Sequence, residues 1–189
     1  QSTVPGTAEQ PFVVTDGLFD QTKTESDLGL SKIEGAETVT VFTATDDTDH
    51  YCNGVVMTEF KGKLYTQWQS SAKDEDAKDT WVAYSVSDDN GATWSEPKVL
   101  VPTIDNGYCS SGGWFVSGDT LVSYINVWYS DTTPRGGFAY YVESTDGEHW
   151  SEMKPVLMKD GTPMEGIIEQ DPHVLASGRI VNAAHFQPG

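Results

Sequence analysis

The most informative segment of this chain is Ser87-Asp88-Asp89-Asn90-Gly91-Ala92-Thr93-Trp94, which matches the pattern S-x-D-x-G-x-T-W in full. An aspartate in such a turn accepts hydrogen bonds from backbone N–H groups, and a glycine takes the left-handed conformation that a tight turn needs. The tryptophan is large enough to cover the base of the two strands that the turn joins. The segment therefore predicts a β-hairpin whose turn residues have a structural role.

A second and shorter copy of this motif follows at Ser144-Thr145-Asp146-Gly147-Glu148-His149-Trp150, where histidine replaces threonine. The tryptophans of the two copies lie 56 residues apart, at positions 94 and 150. Hairpin turns built around Gly62, Gly118 and Gly178 recur at almost the same interval, 56 and 60 residues. Because two independent markers agree, the chain is predicted to consist of repeats of one structural unit. We expect the aspartates and tryptophans of both turns to lie outside any functional site.

Each complete repeat contains four strand-like runs joined by turns, and many short strands at regular spacing are typical of an all-β fold. Four strands in a repeat of this length correspond to one blade of a β-propeller, which avoids long open sheet edges by arranging its sheets around an axis. We therefore predict an all-β β-propeller of four-stranded antiparallel blades. Two blades are expected at residues 50–106 and 107–164, and the first half of a further blade at residues 165–189.

The predicted propeller does not close within these 189 residues. Closure takes four to eight blades, and this sequence holds about two and a half. We expect the missing blades to come from the rest of the protein or from another chain. Residues 1–49 form an N-terminal segment, and the strand predicted at residues 38–42 is expected to complete the last blade.

The charge of the chain limits its partners. Its 29 acidic and 11 basic residues give a formal net charge of -18 and a pI near 4.3. Such a field repels phosphate, so nucleic acid and anionic membranes are not expected as partners. No apolar run approaches the roughly 18 residues of a membrane span. A neutral glycan is compatible with this charge, whereas an anionic glycan needs local cations, and the chain has only two arginines, Arg135 and Arg179.

Chemistry is expected on one face of the propeller. If the innermost strand of each blade begins at this face, the residues before that strand and the residues after the second strand gather there. These positions are rich in histidine, aromatic, amide and acidic residues, a mixture that suits sugars because rings stack on C–H surfaces while amides and carboxylates bind hydroxyl groups. The alternative is that such residues only satisfy one another. The substrate-binding candidates are Asn53, Gln69, Trp68, Asn126, Trp128, Tyr129, Glu169, Gln170, His173 and Gln187.

Four further residues are candidates for catalysis. His185 ends a strand at the predicted rim, and an imidazole titrates near neutral pH, so it is the first candidate for acid/base work and His50 is the second. Tyr51 lies beside His50. Arg135 follows the second strand of its blade, and its guanidinium can neutralise a substrate carboxylate through two parallel hydrogen bonds. The alternatives are structural histidines and a solvated loop arginine.

Two minor features concern cysteine and metal. Cys52 and Cys109 occupy equivalent places in adjacent repeats, which allows either a disulfide or two buried free thiols. Glu169 and Asp171 can contribute oxygen ligands to a cation such as calcium near the axis, but no residue is assigned as a metal ligand and the cofactor is left open.

With both turn motifs and the hairpin Lys61-Gly62-Lys63-Leu64-Tyr65 in view, the chain resembles the sialidase superfamily of Asp-box, or BNR-repeat, propellers. The resemblance covers residues 49–189 and implies an exported, secreted or periplasmic, carbohydrate-active enzyme with six or seven blades. True sialidases carry an Arg-Ile-Pro motif where this chain has Tyr51-Cys52-Asn53-Gly54-Val55. The chain is therefore more similar to relatives that act on uronate-containing polysaccharides, such as ulvan lyases and rhamnose–glucuronate lyases.

This resemblance implies cleavage of a uronate-containing glycan by β-elimination. In that reaction His185 or His50 removes the proton on C5, Tyr51 or Tyr129 protonates the leaving oxygen, and Arg135 holds the carboxylate. One alternative is an exo-glycosidase of sialidase or rhamnosidase type. A retaining or inverting glycosidase uses two carboxylates that flank the bond, and Glu169 and Asp171 are the well-placed acids. The other is a glycan-binding propeller without catalysis.

Overall fold

The computed structural model describes residues 33–130 and 136–186, together with residues 16, 17, 19, 20, 22–24 and 29. The chain divides into two compact regions, residues 1–38 and residues 39–189. Twelve strands are described, all within residues 39–189, and the described part of the chain contains no helix. The all-β class predicted from the repeat is confirmed.

Two four-stranded antiparallel sheets account for most of the structure. The first runs in the order β1-β2-β3-β4 and the second in the order β5-β6-β7-β8, so that each strand pairs with its neighbours in sequence. The two sheets lie within the residue ranges predicted for two blades. The strands are β1 (Tyr51–Phe60), β2 (Lys63–Ser71), β3 (Trp81–Ser87), β4 (Lys98–Val101), β5 (Gly107–Ser117), β6 (Thr120–Tyr129), β7 (Gly137–Ser144) and β8 (Lys154–Pro155).

After the two sheets, a third repeat continues the same pattern with an interrupted hairpin. We call it the third unit, with the two sheets as the first and second. Its strands are β9 (Ile167–Ile168), β10 (His173–Val174), β11 (Ile180–Val181) and β12 (Ala184–His185). β9 pairs with β12, and β10 pairs with β11, so the two short ladders lie along one hairpin. The gap between the two ladders lies at the same place in the repeat as a register shift in β1 and in β5. At each shift the first strand of the sheet has one residue more than its partner strand.

The first turn motif forms the hydrogen bonds that its sequence predicts. Asp89 accepts bonds from the hydroxyl and the backbone N–H of Thr93, at 2.6 and 2.8 Å, and from the Ser87 hydroxyl at 2.8 Å. These bonds favour the ionised carboxylate and lower the pKa of Asp89 to about 2. Gly91 has a φ of 88°, and the indole N–H of Trp94 donates to its carbonyl oxygen at 3.1 Å. The turn is therefore a self-contained structural element.

In the second motif the histidine takes over the role of threonine. Asp146 accepts the backbone N–H groups of Glu148 and His149, both at 2.8 Å, and its other oxygen lies 2.8 Å from Nδ1 of His149. The backbone bonds, together with the bond to the ring, hold the pKa of Asp146 below its usual range, and the ring bond raises the pKa of His149. A shorter sequence thus reproduces the same turn with a different side chain.

The main apolar core lies between the first and the second sheet. Side chains from both sheets meet there because alternate residues of a strand face the same side. Trp114 of β5 lies near its centre, 1% exposed, and packs edge-on against Tyr65 of β2. The core residues are Phe60, Tyr65, Val82, Tyr84, Leu100, Val101, Cys109, Trp114, Leu121, Ile125, Val127 and Val142.

Buried amide side chains join neighbouring units of the fold. Gln67 of the first sheet donates to the carbonyl oxygen of Gly112 in the second at 3.3 Å and accepts from the Ser123 hydroxyl at 2.8 Å. Asn126 of the second sheet binds both backbone groups of Ile168 in the third unit, at 2.8 Å each. Each amide therefore satisfies backbone groups of the next unit that would otherwise be buried without partners.

The strand predicted at residues 38–42 is not formed. These residues have no ladder partner among the described strands. Phe42 instead stacks on Trp68, with ring centroids 6.2 Å apart and an angle of 21° between the rings. Phe42 thus covers Trp68 on one face of the first sheet. Completion of the last blade by this segment stays a prediction.

Of the two alternatives left open for the cysteines, the structure shows free thiols, and only one of them is buried. Cys52 is exposed and Cys109 is buried. The register shifts begin at Asn53 in β1 and at Ser111 in β5, so Cys52 lies one residue before the shift and Cys109 two residues before it. An offset of one residue turns side chains to opposite faces of a strand. Burial raises the pKa of the Cys109 thiol to about 12.

Replacing Gly147 by alanine is expected to destabilise the protein by about 2 kcal/mol, because two costs add. Gly147 has a φ of 75°, and a Cβ there would overlap the hydroxyl group of Tyr65 in the neighbouring sheet. Gly118→Ala is the matched control, since Gly118 has a φ of 59° with open space around it, and about 1 kcal/mol is expected. Urea denaturation measures both. Equal losses of unfolding free energy in the two variants would show that the closeness of the Tyr65 hydroxyl to residue 147 has no effect on stability.

Candidate functional site

A cavity of about 200 Å³ opens where the first sheet, the second sheet and the third unit meet. It lies at the end of the sheets where β1 and β5 begin and β2 and β6 finish. We call it the face pocket. Its lining residues are Asn53, Gly54, Gln69, Glu75, Asp76, Tyr108, Ser110, Ser111, Trp128, Glu169 and His185.

The face pocket brings together five residues that the sequence singled out as candidates. They come from all three units of the fold and are Asn53, Gln69, Trp128, Glu169 and His185. Residues at the ends of neighbouring strands thus line one cavity. Residues 51–53 and 108–112, which were expected to precede the inner strands, already belong to β1 and β5. The reason is that each inner strand continues beyond its register shift.

His185 and Glu169 lie side by side in the pocket. His185 pairs with Ile167 across the β9–β12 ladder, which brings its ring near the residue after β9. Its Nδ1 lies 3.4 Å from Oε2 of Glu169, and the two side chains are 50% and 61% exposed. A carboxylate beside an imidazole orients the ring and selects its tautomer. Both side chains are open to solvent and to a ligand in the pocket.

Gln69 gives the pocket a fixed hydrogen-bond acceptor. It pairs with Asn53 across β1 and β2, and only 5% of its surface is exposed. Its Nε2 donates to the carbonyl oxygen of Glu75 at 2.6 Å, which fixes the orientation of the amide. A side-chain amide held in one orientation can offer a ligand a hydrogen-bonding group in a defined place.

Trp128 and Tyr108 form an aromatic wall of the pocket. They pair across β5 and β6, and their rings stack with centroids 5.2 Å apart and 16° between the planes. The indole Nε1 of Trp128 is buried and has no hydrogen-bond partner in the described part of the chain. Aromatic walls of this kind are suited to the C–H faces of sugars.

Two acidic residues of the pocket were missed by the sequence analysis. Glu75 and Asp76 lie in the charged loop between β2 and β3. The loop follows directly on a strand end at the predicted face, and that position was the signal. The Tyr51 hydroxyl donates to Oε2 of Glu75 at 3.2 Å. Burial and this carboxylate raise the pKa of Tyr51. Tyr51 is thus linked to the pocket by its hydrogen bond to Glu75.

Several other candidates lie away from the face pocket. Trp68 alternates with Gln69 along β2, so it faces the opposite side of the sheet, where it is 4% exposed under Phe42. Asn126 is fully buried, with its amide committed to Ile168. Tyr129 shares a hydrogen bond of 2.7 Å with the hydroxyl of Tyr140. These contacts favour structural roles for all three residues.

A second and larger cavity, of about 640 Å³, holds two more candidates, Gln170 and His173. They line it with Asp171, whose carboxylate accepts the backbone N–H of Trp114 at 2.7 Å and whose pKa is raised by burial. His50 is exposed and lines neither cavity. Arg135 and Gln187 lie outside the described residues.

The described residues give no indication of a metal centre or a membrane span. No group of three or more histidine, cysteine or acidic side chains within residues 33–130 and 136–186 is arranged to hold a metal ion. No helix in the described part of the chain is long and apolar enough to cross a bilayer. Glu169 and Asp171, suggested as cation ligands, line different cavities.

Two solved structures share this arrangement of strands. A protein of unknown function from Dyadobacter fermentans DSM 18053 has a TM-score of 0.57 and 13% identity over 77% of this chain and 52% of its own. The Trypanosoma rangeli sialidase in complex with sialic acid has a TM-score of 0.52 and 15% identity over 73% of this chain and 26% of its own. The chain thus spans about half of the first relative and a quarter of the second. At these identities the likeness concerns the fold.

The sequence itself points to the same group of proteins. No curated protein matches the chain. A family match does extend from the hairpin turn at Gly62 almost to the end of the sequence, over more than half of the residues. Residues 62–188 match the BNR repeat-like domain, and the chain belongs to that family.

Proposed function

We propose that the face pocket binds one terminal sugar of a glycan and that the protein is an exo-acting glycoside hydrolase. The observation that carries this proposal is the pocket itself, in which carboxylates, amides, a histidine and an aromatic wall line one cavity. Its volume of about 200 Å³ is below the range typical of drug-sized ligands, so it suits a single ring better than a polymer segment. The likeness to a sialidase supports the carbohydrate class through the fold.

Hydrolysis of a glycosidic bond needs two carboxylates near the reacting carbon. Glu169 enters the pocket from the third unit and Glu75 from the first sheet, so the two approach it from different elements. We assign Glu169, held beside His185, as the proton donor to the leaving oxygen. Glu75 is the second carboxylate, and its bond from Tyr51 holds it in place. Asn53 and Gln69 orient the hydroxyl groups of the sugar.

Uronate lyase activity is the second candidate, and the pairing of His185 with Glu169 is the observation that favours it. An imidazole oriented by a carboxylate can act as the base that removes the C5 proton. The reaction also needs a cation to hold the uronate carboxylate, a role that Arg135 would fill. The carboxylates of Glu75 and Glu169 in the pocket lining work against an anionic substrate, which places hydrolysis first.

The proposal extends to the whole molecule. We propose a closed propeller of six or seven blades, with the remaining blades supplied by the rest of the protein or by another chain, and export to the periplasm or the medium. An acidic surface and the sugar-binding pocket are consistent with this setting.

Glu169→Gln is expected to lower kcat/KM for glycoside cleavage about 100-fold, because the amide cannot donate the proton that the leaving oxygen requires. Release of reducing ends from a panel of glycans and aryl glycosides measures this. Glu152→Gln is the matched control, since Glu152 is exposed in a loop away from the pocket, and unchanged activity is expected. An unsaturated product absorbing near the ultraviolet edge would instead identify a lyase. Binding without any cleavage would identify a glycan-binding propeller.

A further inference from the structure

Asp171 is a half-buried acid that lies outside the face pocket but close to it along the chain. It lines the larger cavity, whereas Glu169, two residues earlier, lines the face pocket. Its carboxylate accepts the backbone N–H of Trp114 in β5 at 2.7 Å. Building on the proposed function, we propose that this bond makes Asp171 a positioning residue, which holds Glu169 where it can give its proton to the leaving oxygen.

The bond is made where the second sheet is irregular. β5 pairs with β6 through Ser111 and Ile125 and then through Trp114 and Ser123, so β5 advances three residues while β6 advances two. An extra residue of this kind disrupts the ladder locally. The Asp171 carboxylate supplies an acceptor for the backbone N–H group that follows the extra residue. A side chain of the third unit thus takes part in the hydrogen bonding of the second sheet.

Two further contacts hold the same segment of the third unit. A Cβ at Gly113 would lie 2.3 Å from the carbonyl oxygen of Gln170, so glycine lets β5 and the third unit approach each other this closely. On the other side of Glu169, the amide of Asn126 binds both backbone groups of Ile168 at 2.8 Å. The backbone of Glu169 is therefore fixed from both sides.

Glu169 depends on these backbone contacts because packing alone does little to hold its side chain. It is 61% exposed, and His185, whose Nδ1 lies 3.4 Å from its carboxylate, is 50% exposed. A displacement of about 1 Å at a reacting group can lower a rate about 100-fold. Hydrogen bonds outside the site limit such displacements when they fix the elements that carry the reacting groups. The bond from Trp114 to Asp171 is a support of this kind.

Asp171→Ala is expected to lower kcat for glycoside cleavage about tenfold and to change KM less than about threefold, because the acid is displaced while Asn53 and Gln69 still bind the sugar. Asp171→Asn keeps an oxygen that can accept the Trp114 N–H and should retain kcat within about threefold. The ¹⁵N chemical shifts of the His185 ring give a second readout, because they report the tautomer that the neighbouring carboxylate selects. These shifts should change in Asp171→Ala and stay the same in Asp171→Asn.

Gly113→Ala tests the same anchor from the side of β5. The added Cβ would push against the Gln170 carbonyl, so this variant should reproduce the loss of kcat and the change in the ring shifts without altering Asp171. Asn182→Ala is the matched control, since Asn182 lines the same cavity as Asp171, and both readouts should stay as in the wild type. Circular dichroism verifies that each variant is folded, and if Asp171→Ala does not fold, Gly113→Ala decides.

The outcomes separate this inference from the proposed function. Unchanged His185 shifts in folded Asp171→Ala, or in Gly113→Ala, overturn the positioning role. Equal effects of Asp171→Ala and Asp171→Asn also overturn it, because the bond from Trp114 would then not be the cause. If the wild type cleaves no glycan but the ring shifts respond as expected, the hydrolase assignment fails while the placement of Glu169 by Asp171 is supported.

Discussion

Trp114→Ala is expected to lower the free energy of unfolding by about 4 kcal/mol, the loss typical of removing a large aromatic side chain from a core. Trp114 is 1% exposed and lies between the two sheets, with Tyr65 at 6.3 Å and Trp150 at 5.9 Å between ring centroids. Its indole N–H also donates to the carbonyl oxygen of Val56 at 3.3 Å. Alanine would leave a cavity at the junction of the sheets, which rigid strands cannot close. Urea denaturation followed by tryptophan fluorescence and circular dichroism measures the loss.

Trp114→Phe separates packing from hydrogen bonding at the same position. Phenylalanine keeps one ring of the side chain and loses the bond to Val56, so a loss of about 2 kcal/mol is expected. If both variants cost less than about 1 kcal/mol, the two sheets do not unfold as one cooperative unit around this residue.

Asn126→Ala is expected to lower the free energy of unfolding by about 3 kcal/mol. Asn126 is fully buried, and alanine would leave the N–H and the carbonyl oxygen of Ile168 without their partner. The carbonyl oxygen of Ser111, at 3.3 Å from the amide, would lose a donor as well. Each buried polar group left unpaired costs roughly 1 to 3 kcal/mol. Hydrogen exchange should show that the backbone amide of Ile168 loses protection more than the amides of β6.

Asn182→Ala is the matched control for this variant, because Asn182 is an exposed asparagine of the third unit. The free energy of unfolding of Asn182→Ala should fall by no more than about 0.5 kcal/mol. Unchanged protection of Ile168 in Asn126→Ala would show that the third unit is held by contacts other than this amide.

Local turn chemistry explains how much of the fold could be predicted from the sequence. Asp89, Gly91 and Trp94 make their bonds within one turn, so eight residues are enough to specify the hairpin. The repeat of that turn then gave the four-stranded antiparallel sheets, which resemble the propeller of a sialidase. The predicted relation to the sialidase and BNR-repeat superfamily is confirmed by the family match.

The sequence predicted those residues of the candidate site that lie at strand ends. Five candidates meet in the face pocket because residues at the ends of neighbouring strands lie on one face of the fold. Trp68 was placed on the wrong side because neighbouring residues of a strand face opposite sides, so Trp68 and Gln69 cannot both face the pocket. The cysteines differ because the sequence does not show where an extra residue shifts the register of β1 and β5. Glu75 and Asp76 were missed because only the residues at the end of β2, and not the loop that follows them, were considered.

The amide joints at Gln67 and Asn126 carry no charge. Neutral amides neither titrate nor attract counterions, so a change of pH or ionic strength leaves these contacts unaltered. This architecture would keep the scaffold that shapes the cavity in place when the pH or the salt concentration of the medium changes.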